Sequence, residues 1–258
     1  MRILSLSPSM VNTYLKCPRQ FYYSYALRLP RLPNHYLAFG SSFHETMREN
    51  YFQKISTKKD LPVDLLTDFF VEDLEYRDVD WSEQSLDKTK DDGVITVRAY
   101  QEKVARRTQP LAVEQAFNME INGRDWNITG KIDLIADNDD GWNVVRENKT
   151  TGHSVSKPKP DHVFQISTYA VARMKETGAP FIGARIDYSL RGKNKICSMP
   201  VMFDENVDKY ILSTFDQVAR GIQLEVWPAN RVGNYLCSRK YCSHWGRCEE
   251  DCGGRVAD

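Results

Sequence analysis

Gly130-Lys131-Ile132-Asp133-Leu134-Ile135-Ala136-Asp137-Asn138-Asp139-Asp140-Gly141-Trp142-Asn143-Val144-Val145-Arg146-Glu147-Asn148-Lys149 is the stretch from which the rest of the chain is read. Two segments with β-branched and aromatic content flank Asp139-Asp140-Gly141, a strong hairpin signal. A three-residue loop ending in Gly at the left-handed position suits such a turn. Pairing Asn138 with Trp142 then sets Asp133 directly opposite Glu147. Their Cβ atoms lie roughly 5 Å apart on one face of the sheet. Lys149, two residues beyond Glu147, shares that face.

Two carboxylates facing each other across a ladder repel, and a purely structural sheet avoids the arrangement. A divalent cation removes the objection, because Mg²⁺ or Mn²⁺ takes oxygen ligands and keeps waters that a phosphate can replace. Lys149 beside it can hold the attacking water or steady the charge that develops on phosphate. Asp, then Glu-x-Lys, on adjacent strands is what metal-assisted phosphodiester cleavage requires. On this stretch alone a solvated hairpin face with ordinary charges fits equally well. The rest of the chain decides.

At 258 residues, 41% hydrophobic and 27% charged, the composition is that of a globular protein with one large domain or two small ones. No apolar run approaches a membrane span, and the N-terminal apolar stretch is too short for a signal peptide, so a soluble cytoplasmic protein is expected. Lys plus Arg (35) balances Asp plus Glu (35). The balance is uneven, however: Asp60 to Asp92 holds 12 acidic residues against Arg77, Lys88 and Lys90. The remainder is basic, which is compatible with a nucleic-acid groove.

Along the chain, Ser7-Pro8 opens a helix with a capping residue and a first-turn proline, and Pro18 breaks or restarts it. A second helix is expected from about Gly40, with Phe39, Phe43, Met47 and Tyr51 as a buried stripe and His44 beside it. Residues 56–92 read as acidic, partly helical and surface-lying, with Leu65, Leu66, Phe69 and Phe70 as a modest apolar face, and with a helix over 93–107 they make a helical insertion over 56–110. Strands are expected at 111–121, 125–136, 142–149, 182–190 and 196–203, with helices at 160–176 and 204–224. Arg191, Lys193 and Lys195 crowd the basic turn before the last strand. The expected fold class is α/β, a single domain over 1–258 with a sheet core at 111–203.

Six cysteines in a reducing compartment read as metal ligands, catalytic groups or buried thiols. Cys237, Cys242, Cys248 and Cys252 follow a C-x4-C-x5-C-x3-C spacing in a segment with little periodicity. Zinc takes four such thiolates. An iron–sulfur cluster does too, and admits a ligand from far away in sequence. The spacing leaves both open. His244 is an additional zinc candidate or a surface residue. Cys197, in a strand, reads as a buried thiol.

These motifs together resemble the RecB-like branch of the PD-(D/E)XK nuclease superfamily, in the iron–sulfur form seen in AddB-type and CRISPR-associated adaptation nucleases. Ser7 to Tyr22 (Ser-Pro-Ser…Tyr-Leu-Lys-Cys-Pro-Arg-Gln-Phe-Tyr) is similar to its N-terminal cysteine segment, and Gly40 to His44 to its histidine motif. Gly130 to Asp133 resembles its G-x-x-D strand, Glu147-Asn148-Lys149 its D/E-x-K, and Gln165 to Tyr169 its Q-x-x-x-Y. Five motifs in this order make the likeness specific. The chain departs from the pattern in having four residues, not two, between Cys237 and Cys242, which makes Cys252 a substitute ligand for Cys237.

The resemblance implies a restriction-endonuclease-like core: a central mixed β-sheet flanked by helices, an inserted helical lobe, and a cluster-binding region of 231–258 with Cys17. It implies Mg²⁺ or Mn²⁺ on Asp133, Glu147, the Asn148 backbone carbonyl and His44, with Lys149 positioning water. Gln165 and Tyr169 would contact the DNA backbone, Tyr169 stacking on a base. Cys17, Cys237, Cys242 and Cys248 would hold a 4Fe–4S cluster. Arg146, on the opposite strand face, is expected to be structural or to touch DNA, and Glu114 is a further candidate helper. The expected activity is exonuclease cleavage at single-stranded or duplex DNA ends, with a helicase or recombination partner compatible with it. A non-cleaving nucleic-acid-binding subunit and a zinc-binding interaction protein are the rival readings.

Overall fold

The computed structural model describes residues 5–30, 33–137, 143–179, 182–232, 234, 236–239 and 241–253. Local chemistry accounts for most element boundaries. After the short strand β1 (Ser5–Leu6), Ser7 caps α1 (Pro8–Lys16) by accepting from the Met10 amide. Cys17 is extended, and Pro18 restarts the chain as α2 (Pro18–Phe21), which runs into a π-helical stretch over Tyr22–Ala26. The next helix, α3 (His35–Thr57), begins earlier than expected, because the Asn34 side chain accepts from Leu37 N and caps it there.

Two further helices follow, α4 (Val63–Glu75) and α5 (Leu86–Lys103), the latter started by Ser85 eight residues before Gly93. The strands are β2 (Gln109–Met119), β3 (Asn127–Asp137) and β4 (Asn143–Thr151). Helix α6 (Pro160–Thr177) starts on a proline and stops at Gly178, whose φ of 70° is the left-handed conformation that glycine adopts freely. Strands β5 (Gly183–Leu190) and β6 (Ile196–Val201) precede α7 (Val207–Gln223) and α8 (Trp245–Cys252). Helix α8 lies in the cysteine-rich segment that showed little periodicity; eight residues are too few to display one.

The chain divides into two compact units. The larger comprises Pro33–Phe117 and Lys131–Val207. In it β3 and β4 are antiparallel, β4 and β5 parallel, and β5 and β6 antiparallel, while β2 pairs with β3. This is a mixed sheet flanked by helices. The expected register holds, from Asp137 opposite Asn143 to Leu134 opposite Arg146. The Asp139-Asp140-Gly141 turn, with Asn138 and Trp142, lies outside the described residues. Two apolar cores cover the sheet. One joins Leu134 and Ala136 to α3, α4 and α5, and the other joins Ile132, Ile135 and Val145 to α6 and β5.

The insertion is therefore not a surface lobe. Leu66, Phe70, Val97 and Tyr100 are fully buried with Phe39, Phe43, Met47 and Tyr51 of α3, while Leu65 and Phe69 stay partly exposed. Gly93 on α5 sits where an added Cβ would overlap the Phe70 ring. Ala in a helix interior gains about 1 kcal/mol over Gly, but overpacking of a closed core costs about 1–3 kcal/mol. A direct overlap with an aromatic ring sets the sign. Gly93→Ala should lower the melting temperature by about 2–6 °C, and an unchanged or raised melting curve would show that α4 and α5 are free to spread.

The smaller unit comprises Met1–Leu32, Asn118–Gly130 and Asp208–Asp258. Its β1 pairs in parallel with the first residues of β3, Ser5 opposite Asn127 and Leu6 opposite Ile128. Trp126 stacks on Phe215 of α7, and Arg124 forms a bidentate pair with Asp216. Tyr14, Phe21 and Tyr22 gather around Trp227. Among the described residues no helix is long and apolar enough to cross a membrane.

Candidate active site

The larger unit brings Asp133, Glu147, Lys149, His44, Gln165 and Tyr169 together. One step beyond the Leu134–Arg146 pair, the register sets Asp133 opposite Glu147. His44 Nδ1 lies 3.2 Å from Asp133 Oδ2, and the Asn148 amide donates to the same oxygen at 3.4 Å. Lys149 Nζ is 2.6 Å from Glu147 Oε1. Gln165 binds both partners of that pair: its Oε1 accepts from Lys149 at 3.1 Å, and its Nε2 donates to Glu147 Oε1 at 2.9 Å and to Tyr169 OH at 2.9 Å.

Glu147 is 1% exposed, yet its Oε2 is buried without a hydrogen-bond partner. Leaving such an oxygen unmatched costs about 1–3 kcal/mol or more. Burial, then the facing Asp133, push the Glu147 carboxyl up to about 7, against the pull of Lys149 and His44. For Asp133 burial also pushes upward, but His44, by charge and hydrogen bond, together with the Lys149 charge and the Asn148 amide, holds the carboxyl below its ordinary value. Burial lowers both His44 and Lys149; for His44 the Asp133 charge, the Asp133 hydrogen bond and the Glu147 charge together reverse this, and for Lys149 the Glu147 and Asp133 charges with the Glu147 hydrogen bond do so. Adjacent carboxylates pushed in opposite directions are a common mark of a reactive site.

An open recess beside this group is lined by His44, Met47, Arg48, Tyr51, Val113, Glu114, Asp133 and Asn148. Glu114 has φ of 50°, a left-handed backbone unusual for a residue with a Cβ, and accepts from Lys131 at 2.9 Å. Tyr169 departs from expectation. It is 5% exposed and packs edge-on against Phe117, so its ring faces are covered and unavailable for stacking on a base. Arg146 is structural: it forms a bidentate pair with fully buried Asp187. Sequence reading missed the Tyr51 and Tyr100 hydroxyls beneath β4. Their signal was faint, since a tyrosine in an apolar stripe needs a polar partner once buried.

Of the basic turn, Arg191 is half-buried, its guanidinium 4.1 Å from the Tyr36 ring centroid, and burial pulls its pKa down. Lys195 donates to Ser154 at 3.3 Å, and Lys193 is exposed.

In the smaller unit, Cys17, Cys237, Cys242 and Cys248 line one recess with Tyr23 and Trp245. Burial and neighbouring thiols raise Cys237 and Cys248, the latter to about 11, with Cys252 its main thiol neighbour; burial alone leads for Cys242. Cys252 is not among the residues lining the recess. His244 is not a surface residue; it is 4% exposed, against the Tyr23 ring and 2.9 Å from Ser24 Oγ. Cys197 is partly buried. Among the described residues no three His, Cys, Asp or Glu side chains yet converge at ligand spacing; the site carboxylates are held instead by His44 and Lys149.

The sequence profile of the PD-(D/E)XK nuclease superfamily matches residues 5–249. The chain belongs to the PD-(D/E)XK nuclease superfamily, whose members generally use divalent metals such as Mg²⁺ or Mn²⁺. Among solved structures, a Eubacterium rectale protein provisionally named an exonuclease is 12% identical with a TM-score of 0.55, covering 98% of this chain and 89% of its own. The crystal structure of SSO0001 is 14% identical with a TM-score of 0.46, covering 100% of this chain and 89% of its own. At these identities the first likeness concerns the fold. No curated protein matches the sequence.

Proposed function

We propose that the protein is a metal-dependent DNA nuclease, acting as an exonuclease on single-stranded or duplex ends. The observation that carries this reading is Glu147, a buried carboxylate facing Asp133 with one oxygen left unpartnered. An unmatched buried oxygen beside a second carboxylate suits a hard cation. Asp133, Glu147, the Asn148 carbonyl and His44 would hold Mg²⁺ or Mn²⁺. When bound, the cation supplies a Lewis acid that acidifies water and offsets phosphate charge.

The protein's own residues do the rest. Lys149 orients the attacking water and shields the charge that grows on phosphate. Gln165 keeps Lys149 and Glu147 in register, and Tyr169 anchors Gln165 from the core rather than touching DNA. Four thiols around one recess suit a 4Fe–4S cluster on Cys17, Cys237, Cys242 and Cys248, since adjacent thiols ionise together only beside a cationic centre. A partner that unwinds or delivers DNA ends is compatible with the same reading.

The test is anaerobic purification, iron analysis, and cleavage of end-labelled single- and double-stranded DNA with Mg²⁺ or Mn²⁺. Cleavage without added metal, or none on any DNA end, would sink the reading. Zinc in place of iron would favour the rival reading of a zinc-binding interaction protein.

Arg191, Lys193 and Lys195 are assigned to phosphate contact. Neutralising all three should weaken DNA binding and reduce its salt slope by up to about 3, with about 2 from the exposed lysines. An identical slope in a fluorescence-anisotropy salt titration would return the turn to solvent.

A further inference from the structure

The face of β4 turned away from Glu147 and Lys149 carries its own buried polar groups. Asn148, 3% exposed, accepts at Oδ1 a 2.6 Å hydrogen bond from Tyr100 OH. Tyr51 OH in turn donates to Tyr100 OH at 3.2 Å. Both tyrosines are buried, Tyr51 on α3 and Tyr100 on α5. Beside them Arg146 pairs with Asp187 at 2.9 Å, Ser198 donates to Asp187, and the parallel register sets Asn148 next to Asp187.

Such a network is costly to bury, and an apolar set of similar shape would pack without that cost. Its location suggests what it is for. Asn148 is the residue between Glu147 and Lys149, and its amide reaches Asp133 Oδ2. Side chains alternate across a strand, so turning Asn148 about the strand axis swings Glu147 and Lys149 the other way. Locking Asn148 therefore locks its neighbours.

We propose that Tyr100, backed by Tyr51, is a positioning residue for the cation-binding carboxylates, holding β4 through Asn148 so that Glu147 and Lys149 stay opposite Asp133. The inference rests on the assignment of Asp133, Glu147 and Lys149 made under the proposed function. It makes α5, part of the expected insertion, a component of the active centre.

The experiment is Mn²⁺ binding without DNA, followed by electron paramagnetic resonance, on the wild-type chain and on Tyr100→Phe, Tyr51→Phe and Glu147→Gln. Losing a group that orients a metal ligand typically weakens affinity by about tenfold or more. Tyr100→Phe should show a loss of that size and Tyr51→Phe a smaller one. In cleavage assays the Mn²⁺ concentration for half-maximal rate should rise, and kcat at saturating Mn²⁺ should fall by less than in Lys149→Ala. A merely structural hydroxyl would lower the melting temperature and leave Mn²⁺ affinity alone. Unchanged affinity in Tyr100→Phe, with Glu147→Gln losing it, overturns the proposal and leaves the site assignment standing. If Glu147→Gln binds Mn²⁺ as well as wild type, the assignment falls and takes the proposal with it. Should Tyr100→Phe fail to fold, Tyr51→Phe carries the test, and no shift in its Mn²⁺ affinity overturns the proposal.

Discussion

Lys149→Ala is expected to cut cleavage by at least about 10²–10³-fold, the range seen when a group that stabilises transition-state charge is removed. DNA binding should stay near wild type. The ammonium group is 2.6 Å from Glu147 Oε1 and 3.1 Å from Gln165 Oε1, so it serves the carboxylate and whatever lies beside it. Without it Glu147 loses the partner that opposes burial and the Asp133 charge, and its carboxyl rises above the wild-type value of about 7. At neutral pH the group is then mostly protonated and a poor cation ligand. Residual activity in Lys149→Ala should accordingly climb with pH over a range shifted upward from wild type. Single-turnover cleavage across pH, with anisotropy binding in EDTA, measures both effects. Full activity in the variant would remove Lys149, and with it the site, from consideration.

On the proposed 4Fe–4S assignment, Cys17→Ser is expected to remove the brown iron–sulfur absorbance and to destabilise the fold. Cys17 stands between α1 and α2, and the Asn230 amide points at its Sγ at 3.5 Å. The returning segment is tied down nearby: Asn230 and Asn234 side chains donate to Lys16 O, Arg19 N to Pro228 O, and Tyr14 OH to Val226 O. Those bonds keep the recess together but supply no thiolate. A hydroxyl is a poor iron ligand, so the fourth coordination position fails. A cross-link closing a long loop contributes about 2–5 kcal/mol, and at about 2–4 °C per kcal/mol the melting temperature should drop by about 4–20 °C. Activity falls through lost structure. Cys197→Ser, run in parallel, should keep colour and activity. Retention of full iron by Cys17→Ser would leave Cys252 as the ligand instead.

The hairpin that carries Asp133 and Glu147 was legible because the turn residues and strand alternation together fix its register. Once Asp139-Asp140-Gly141 is taken as the turn, Asp133 and Glu147 must meet, and the observed ladder follows that register. His44 and Gln165 were legible only through resemblance, since helical spacing does not say which strand a side chain will meet. Three features were hidden for physical reasons. The start of α3 depends on one capping side chain, Asn34, outside the apolar stripe. The acidic character of residues 60–92 reads as a solvated face, although one stripe of Leu66, Phe70 and Leu74 suffices to bury α4. The Tyr100–Asn148 contact joins residues 48 apart and leaves no periodic trace.

The smaller unit is assembled from three separated segments, Met1–Leu32, Asn118–Gly130 and Asp208–Asp258. During synthesis the larger unit has all its residues once Val207 is made, whereas the smaller must wait for the segment after it. At about 5–20 residues per second, Cys17 emerges roughly 10–45 s before Cys237. Through that interval its thiol has no partner cysteine from the recess and stands open to oxidants and stray metals. On the proposed cluster assignment, the nascent chain carries its earliest cysteine unpartnered through that interval, and translation under low oxygen should raise the yield of iron-loaded protein.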